Sequence, residues 1–281
     1  MSSQLTPNEL RLMIRNGHFD GMTSGYCQGF IQCNLVILPA DWAEDFLGFC
    51  KANPKPCPLI SKSVIGDPIL ADLGKDIDIR SDISRYRIFK HGELCREVRD
   101  ITDLWQDDLV AFLLGCSFSF EEALISSGLE VRNISQGVNV PMYRSDIDCQ
   151  PFGAFCGKMV VSMRPFNSCD AELAKQISTR FPRVHGAPIH HGNPSEIGIF
   201  DLNKPDYGDA VNLKEGEEPL FWACGVTPQV ALEQAKPPLC ITHSPGCMLV
   251  TDLLNSYSRT SIVTDTRFLV RIAANDPSLK L

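Results

Sequence analysis

The sequence predicts an α/β protein, a mixed sheet with flanking helices plus a smaller inserted α+β subdomain. Short apolar runs such as Leu35-Val36-Ile37-Leu38, Leu220 to Cys224 and Leu239 to Thr242 end in turns rich in Gly, Pro and hydroxyls. Stretches with apolar residues at helical spacing alternate with them, several opened by capping signals. Between residues 129 and 215 the pattern changes, with short strand-like runs crowded around one helix. The expected organisation is therefore a discontinuous main α/β domain, residues 1–128 and 216–281, with residues 129–215 inserted.

The elements follow in order. Thr6-Pro7-Asn8-Glu9 reads as a capping box with Pro at the first helical position, and Leu10, Met13 and Ile14 continue the helix towards Gly17. Leu35 to Leu38 reads as a strand ended by Pro39. Asp41-x-x-Glu44 is a second capping signal, before a helix with Trp42, Phe46 and Phe49 on one face. Tyr86 to Phe89 and Leu94 to Val98 flank Lys90-His91-Gly92-Glu93 as a hairpin, and Trp105 to Leu114 reads as a buried helix. Ser119-x-x-Glu122 suggests a third box, for a helix closed by Gly128. In the inserted segment, Lys158 to Met163 and Ile197 to Leu202 read as strands and Asp170 to Arg180 as a helix. Two α/β units finish the chain, Leu220 to Cys224 running into Thr227-Pro228 and Leu239 to Thr242 into His243-Ser244-Pro245-Gly246.

Composition narrows the function. With 281 residues, 44% hydrophobic, the chain can bury one large core or two intimate ones. A net charge of -8 argues against nucleic acid or an anionic membrane surface as partner. The opening Met1 to Pro7 lacks a basic stretch leading into an apolar one, so no secretory leader is expected. The longest apolar stretch, Leu109 to Phe120, is broken by Gly115, Ser117 and Ser119 and falls short of the roughly 20 residues a membrane helix needs. A cytoplasmic protein is expected, with a small-molecule carboxylate as its partner and a homo-oligomer left open. The twelve cysteines include no Cys-x-x-Cys pair and lie in apolar segments, so they read as free thiols used as small core residues.

In α/β proteins ligands gather where strands run into helix N-termini, and three turns fit. Gly115-Cys116-Ser117-Phe118-Ser119 offers two hydroxyls and a thiol, although Ser119 has a sufficient reason to be there as a helix cap. Cys224-Gly225-Val226-Thr227-Pro228-Gln229 lets a ligand approach the backbone at Gly225, although Thr227 is also a good cap. In Thr242-His243-Ser244-Pro245-Gly246 a histidine follows an apolar strand directly, which suits a proton-transfer or binding role at a mouth. Arg144 and Arg164, at the ends of strand-like runs, could each grip a carboxylate with two hydrogen bonds. His185 to His191, with Asp201, Asp206 and Asp209 beyond, raises a divalent metal, but the spacing matches no helical metal motif, so no cofactor is expected.

The segments Asn34 to Pro39, Arg80 to Arg87, Leu114 to Glu121, Asn139 to Arg144, Val161 to Pro165, His185 to Pro188, Phe221 to Gln229 and Ile241 to Gly246 resemble the D-glutamate cyclase family, in the branch of bacterial members labelled hydro-lyases. The resemblance runs in order over nearly the whole chain; as a set the segments are specific, and any one alone is weak. It implies a two-part α/β fold and the conversion of D-glutamate into 5-oxo-D-proline with loss of water. That chemistry needs a base for the α-amine, donors for the tetrahedral oxyanion and a clamp for the α-carboxylate. On this reading His243 is the proton shuttle and Arg144 or Arg164 holds a carboxylate. Ser117, Ser119 and Thr227 supply an anion site, in turns shared with Cys116, Gly225 and Thr242. Asp82 or Glu121 orients the histidine or serves as the acid. Three rival readings stand beside it: an amide hydrolase with Cys116 or Cys224 as nucleophile, a metal-assisted hydro-lyase, and a non-catalytic binder of an acidic amino acid.

Overall fold

The computed structural model of the chain describes residues 5–258. Helix α1 (Pro7–Arg15) starts as its capping box requires: Thr6 Oγ1 accepts the Glu9 N–H at 3.3 Å and the Glu9 carboxylate accepts the Thr6 N–H at 2.9 Å. Next come β1 (Phe30–Pro39), α2 (Ala40–Ala52), β2 (Leu59–Lys62) and the hairpin β3 (Tyr86–Lys90) and β4 (Glu93–Val98). Strand β5 (Leu109–Gly115) leads into α3 (Phe118–Ser126) and the short α4 (Arg132–Ser135). Strands β6 (Met142–Asp148) and β7 (Lys158–Asn167), helix α5 (Ser168–Thr179) and the two-residue β8 (His190–His191) follow. The described chain closes with β9 (Glu217–Ala223), α6 (Thr227–Ala235), β10 (Cys240–His243) and β11 (Leu249–Leu254). No helix among the described residues is long and apolar enough to cross a membrane.

The α/β class holds, but every strand pairing is antiparallel, where a mixed sheet was expected. The large sheet runs β2-β5-β1-β10-β3-β4, with β11 also on β1; the small one runs β6-β7-β9-β8, so its β9 comes from beyond residue 215. Both faces of the large sheet are covered. Leu35 and Ile37 of β1 and Ala111 and Leu113 of β5 join one core, under the loop that carries Leu70, Leu73, Ile77 and Ile79. Val36, Leu38, Val110, Phe112 and Leu114 face the other, under Phe46 and Phe49 of α2 and Leu232 of α6. The small sheet packs Trp222 and Leu220 against α3 and α5, and Tyr143, Val161 and Phe221 against the loops around Ile197 and Val211.

Double coverage corrects one element. Leu109 to Leu114 is the strand β5, not part of a buried helix, because with both faces buried it has no polar positions to show a period of two. Ile197 to Leu202 forms no strand; its apolar residues pack from a 3₁₀ turn and loop. Three expected caps also differ. α2 begins after Pro39, with Asp41 in its first turn and no side-chain cap. Ser119 lies inside α3, whose N-cap residue is Ser117, again with no side-chain cap bond. Thr227 is the first residue of α6, and its hydroxyl is turned to the neighbouring strand instead: Oγ1 accepts the Val160 N–H at 3.0 Å and donates to the Cys224 carbonyl at 2.8 Å.

One pair of charged groups lies wholly in the interior beside α1. Arg11 of α1 donates to the Val250 carbonyl at 2.8 Å, to Asp252 at 2.9 Å and to the Lys75 carbonyl at 3.1 Å. Asp82 sits 3.9 Å from its Nε, is itself fully buried, and binds Arg15 and the Asp78 N–H. A buried charge is tolerated only while its partners remain. Asp82→Ala is expected to lower the unfolding free energy by about 3–5 kcal/mol, read as a lower urea midpoint at constant slope; an unchanged midpoint would show that Arg11 and Arg15 do not depend on it.

Candidate active site

Between the two sheets lies a cavity of about 500 Å³, within the roughly 300–1,000 Å³ typical of small-molecule sites. The large sheet contributes Asn34 of β1, Arg87 of β3 and His243 of β10; the small sheet contributes Met142 of β6 and Ser162 of β7. Two strand-to-helix turns enter it, Cys116-Ser117-Phe118 ahead of α3 and Cys224-Gly225-Val226 ahead of α6. Each nine-residue helix therefore turns its N-terminus, with its partial positive charge, towards the cavity. Asn34 locks the turns together: its Nδ2 donates to the Gly115 carbonyl at 3.0 Å, and a Cβ on Gly225 would lie 2.4 Å from that same nitrogen. A larger residue there would displace that amide.

Two buried histidines line the cavity with opposite hydrogen-bonding polarity. Leu35 N–H donates to His243 Nδ1 at 3.1 Å, so Nδ1 is an acceptor and the neutral ring carries its proton on Nε2. His185 Nδ1 is 2.7 Å from the Lys55 carbonyl, which can only accept, so that nitrogen carries the proton and Nε2 keeps a lone pair. Burial pushes both rings down to about 4, the Arg87 charge assisting at His243 and the Arg164 charge at His185. His185 also sits at φ +87°, ψ −22°, a left-handed conformation that a side chain with a Cβ adopts at a cost. Just before it, the Arg183–Val184 backbone packs against Gly115, where a Cβ would meet the Arg183 carbonyl oxygen at 2.3 Å.

Beneath the α3 turn, Arg164 is fully buried beside the stacked rings of Phe120 and Trp222, 5.2 and 5.4 Å from their centroids. Its guanidinium donates to Ser162 Oγ and Ser117 Oγ, both at 3.1 Å, and is paired with Glu121. The Ser117 hydroxyl donates in turn to Glu121 at 3.3 Å, which leaves it engaged on both sides.

Of the residues singled out from sequence, Cys116, Ser117, Cys224, Gly225 and His243 line the cavity, as does His185 of the candidate metal-binding segment. Glu121 and Arg164 form the buried pair below it, and Thr227 ties α6 to β7. Ser119 is buried in the first turn of α3, and the Thr242 hydroxyl donates to the His243 carbonyl at 3.1 Å. Arg144 is exposed, bound to Glu233 at 2.9 Å and to the Tyr207 hydroxyl; those two partners line the cavity, and Arg144 does not. Asp82 lies apart, among the arginines near α1. Sequence reasoning passed over Arg87 as a site residue and offered His185 only within a candidate metal-binding segment. Arg87 had a legible signal, a cation in a strand between the buried Tyr86 and Ile88, whereas the backbone conformation that presents His185 had none. His190 binds the Asn193 carbonyl at 2.8 Å and His191 pairs with Glu218. Among the described residues no cluster of three His, Cys, Asp or Glu side chains is arranged to hold a metal ion.

Comparison with known proteins adds an independent line. The family model described as D-glutamate cyclase matches residues 110–252, which hold both turns and both histidines. A Bordetella petrii protein named "putative hydro-lyase" is 59% identical over 251 residues, 89% of this chain and 95% of its own length. A Bacillus velezensis protein of the same description is 54% identical over 253 residues, 90% of this chain and 96% of its own. A nitrogen repressor-like protein from Methanococcus jannaschii aligns with a TM-score of 0.35 at 9% identity, covering 83% of this chain and 90% of that one, too loosely to inform the fold.

The histidines predict how stability depends on pH. Their folded-state values lie below the ordinary 6.5, so between about pH 6.5 and 4 the unfolded chain takes up protons that the folded chain refuses. The stabilisation is fully present above about 6.5 and is lost as the pH falls through about 4. His243→Gln is expected to flatten the fall in melting temperature across that window relative to the parent; identical slopes would refute a neutral, buried His243.

Proposed function

The chain belongs to the D-glutamate cyclase family, and from that premise we propose that this lyase converts D-glutamate into 5-oxo-D-proline and water, reversibly. The observation that carries the reading is the pair of neutral histidines of opposite polarity, lining one cavity with two helix N-termini. Cyclisation asks for that set: a lone pair to accept a proton from the α-ammonium, a donor for the developing oxyanion, and positive ends for two carboxylates.

His185 Nε2 takes a proton from the ammonium group, and the freed amine attacks the γ-carboxyl carbon to form the ring C–N bond. His243 Nε2–H and the cavity-facing amides of α3 and α6 stabilise the tetrahedral oxyanion. Two protons leave nitrogen in all, and His185 relays them to the departing oxygen, which leaves as water. His243 is better suited to donating a hydrogen bond than to shuttling protons, because a base at its Nε2 would first have to be stripped to imidazolate. Arg87 is the clamp for the α-carboxylate: its Nε is bonded to Glu97 at 3.1 Å, but it lines the cavity, which neither Arg164 nor Arg144 does. The negative charge of the bound substrate draws the His185 value upward from about 4, towards a range useful for proton transfer at neutral pH.

Incubation with D-glutamate, L-glutamate and both enantiomers of 5-oxoproline tests the reading. D-glutamate and 5-oxo-D-proline are expected to interconvert; no interconversion of either pair, with or without a divalent metal, would overturn it. His185→Gln should lower kcat by about 10²–10⁴-fold and His243→Ala by about 10²–10³-fold, while Arg87→Met should act mainly on KM. Normal turnover by either histidine variant would remove the role given to it.

A further inference from the structure

We propose that the same cavity exchanges the α-hydrogen of its amino-acid substrate, with Cys116 and Cys224 as a two-thiol acid–base pair that interconverts enantiomers. The inference rests on the cyclase reading for the small α-amino carboxylate, open or cyclised, that occupies the cavity, and shares with it the His185 base.

The two cysteines are placed alike. Cys116 follows β5 of the large sheet and Cys224 follows β9 of the small one; each precedes a small residue, Ser117 or Gly225, and then a helix. In each turn the N–H two residues on is directed at the sulfur, Phe118 to Cys116 and Val226 to Cys224. Both thiols are free and both line the cavity. Asn34 brings the turns together, bonded to the Gly115 carbonyl and packed on Gly225, and the Cys224 charge bears on Cys116. Cyclisation uses neither thiol.

Inversion at a carbon needs one group to remove a proton from one face and another to deliver one to the opposite face. Two acids of the same kind, supplied by different walls of one cavity, meet that need, whereas a single base returns the proton to the face it came from. Burial holds the resting thiols protonated, at about 12 for Cys116 and about 11 for Cys224. A thiolate forms when one proton passes to the lone pair on His185 Nε2. Gly115, the residue before Cys116, packs against the Arg183–Val184 backbone just before His185, so base and thiol share one wall. The helix N-terminus then stabilises the thiolate. The thiolate takes the α-hydrogen as a proton, leaving the electron pair delocalised into the carboxylate. The opposite thiol protonates that carbon on its other face, and thiol and thiolate have exchanged places. Nothing is oxidised or reduced, and no other reactant is consumed.

The test runs the wild-type protein in D2O with each enantiomer of glutamate and of 5-oxoproline, followed by chiral separation and mass analysis. The expected result is one deuterium at Cα of the inverted enantiomer and none in substrate that kept its configuration, with Cys116→Ser and Cys224→Ser each lowering inversion by roughly 10²–10⁴-fold. Absence of α-deuterium from all four compounds, or inversion surviving in either variant, overturns the proposal. Melting temperatures establish that the variants fold; if one does not, the wild-type labelling pattern decides. Glutamate–5-oxoproline conversion is read in the same samples, so cyclisation without α-exchange sinks this inference alone, and α-exchange without cyclisation sinks the cyclase reading alone.

Discussion

The site depends on an interruption in one hydrogen-bond ladder. β10 and β11 are in effect a single antiparallel partner of β1, split by Ser244 to Met248: β10 pairs with Val36 and Ile37, and β11 with Phe30, Gln32 and Cys33. Between these stretches Asn34 and Leu35 have no strand partner on that side. A continuous ladder would hand the Leu35 N–H to a backbone carbonyl, whereas here it goes to the His243 ring. A buried N–H left unmatched costs about 1–3 kcal/mol, so the ring is drawn into place by the same requirement that builds the sheet. The Asn34 side chain, released by the same gap, reaches across to Gly115 and Gly225.

Around that gap the two sheets divide the work. The large sheet, covered on both faces, supplies a rigid wall with a hydrogen-bond donor and a cation. The small sheet supplies the turn before α6 and, through Arg164, the support beneath the turn before α3. Arg164 directs its hydrogen bonds to Ser117, Ser162 and Glu121 and packs beside two stacked aromatic rings, which makes it a buttress: it positions the α3 turn from below and does not line the cavity.

Much of this was legible in the chain, and the failures have physical causes. The Thr6 capping box, the β3–β4 hairpin and helix α5 announce themselves by local chemistry, and they form nearly as read. Strand β5 did not, since an apolar run buried on both faces has the same pattern in a helix and in a strand. The three strand-end turns were found by a rule for parallel sheets, and they converge here although the sheets are antiparallel, because each still delivers a backbone into a gap between layers. Ser119 and Thr227 looked like caps because caps use the same hydroxyls, yet the structure spends one inside a helix and the other on strand β7. His185 was read from sequence only within a candidate metal-binding segment, and its place in the cavity left no signal there. Its selection rests on a left-handed φ and a carbonyl 130 positions away, neither of which leaves a periodic trace.

The groups that set the two tautomers are main-chain atoms, the N–H of Leu35 and the carbonyl of Lys55. The division of labour between the histidines is therefore written into the path of the backbone and into no second side chain. Sequence drift at the exposed position 55 can exchange size and charge, and at the buried position 35 one apolar side chain for another, without touching it; among single replacements only proline at 35 deletes the donor. Over evolutionary time such a site can change the ligand it prefers, through residues such as Arg87, Gln229 and Glu233 on its walls, while its acid–base polarity is inherited with the fold.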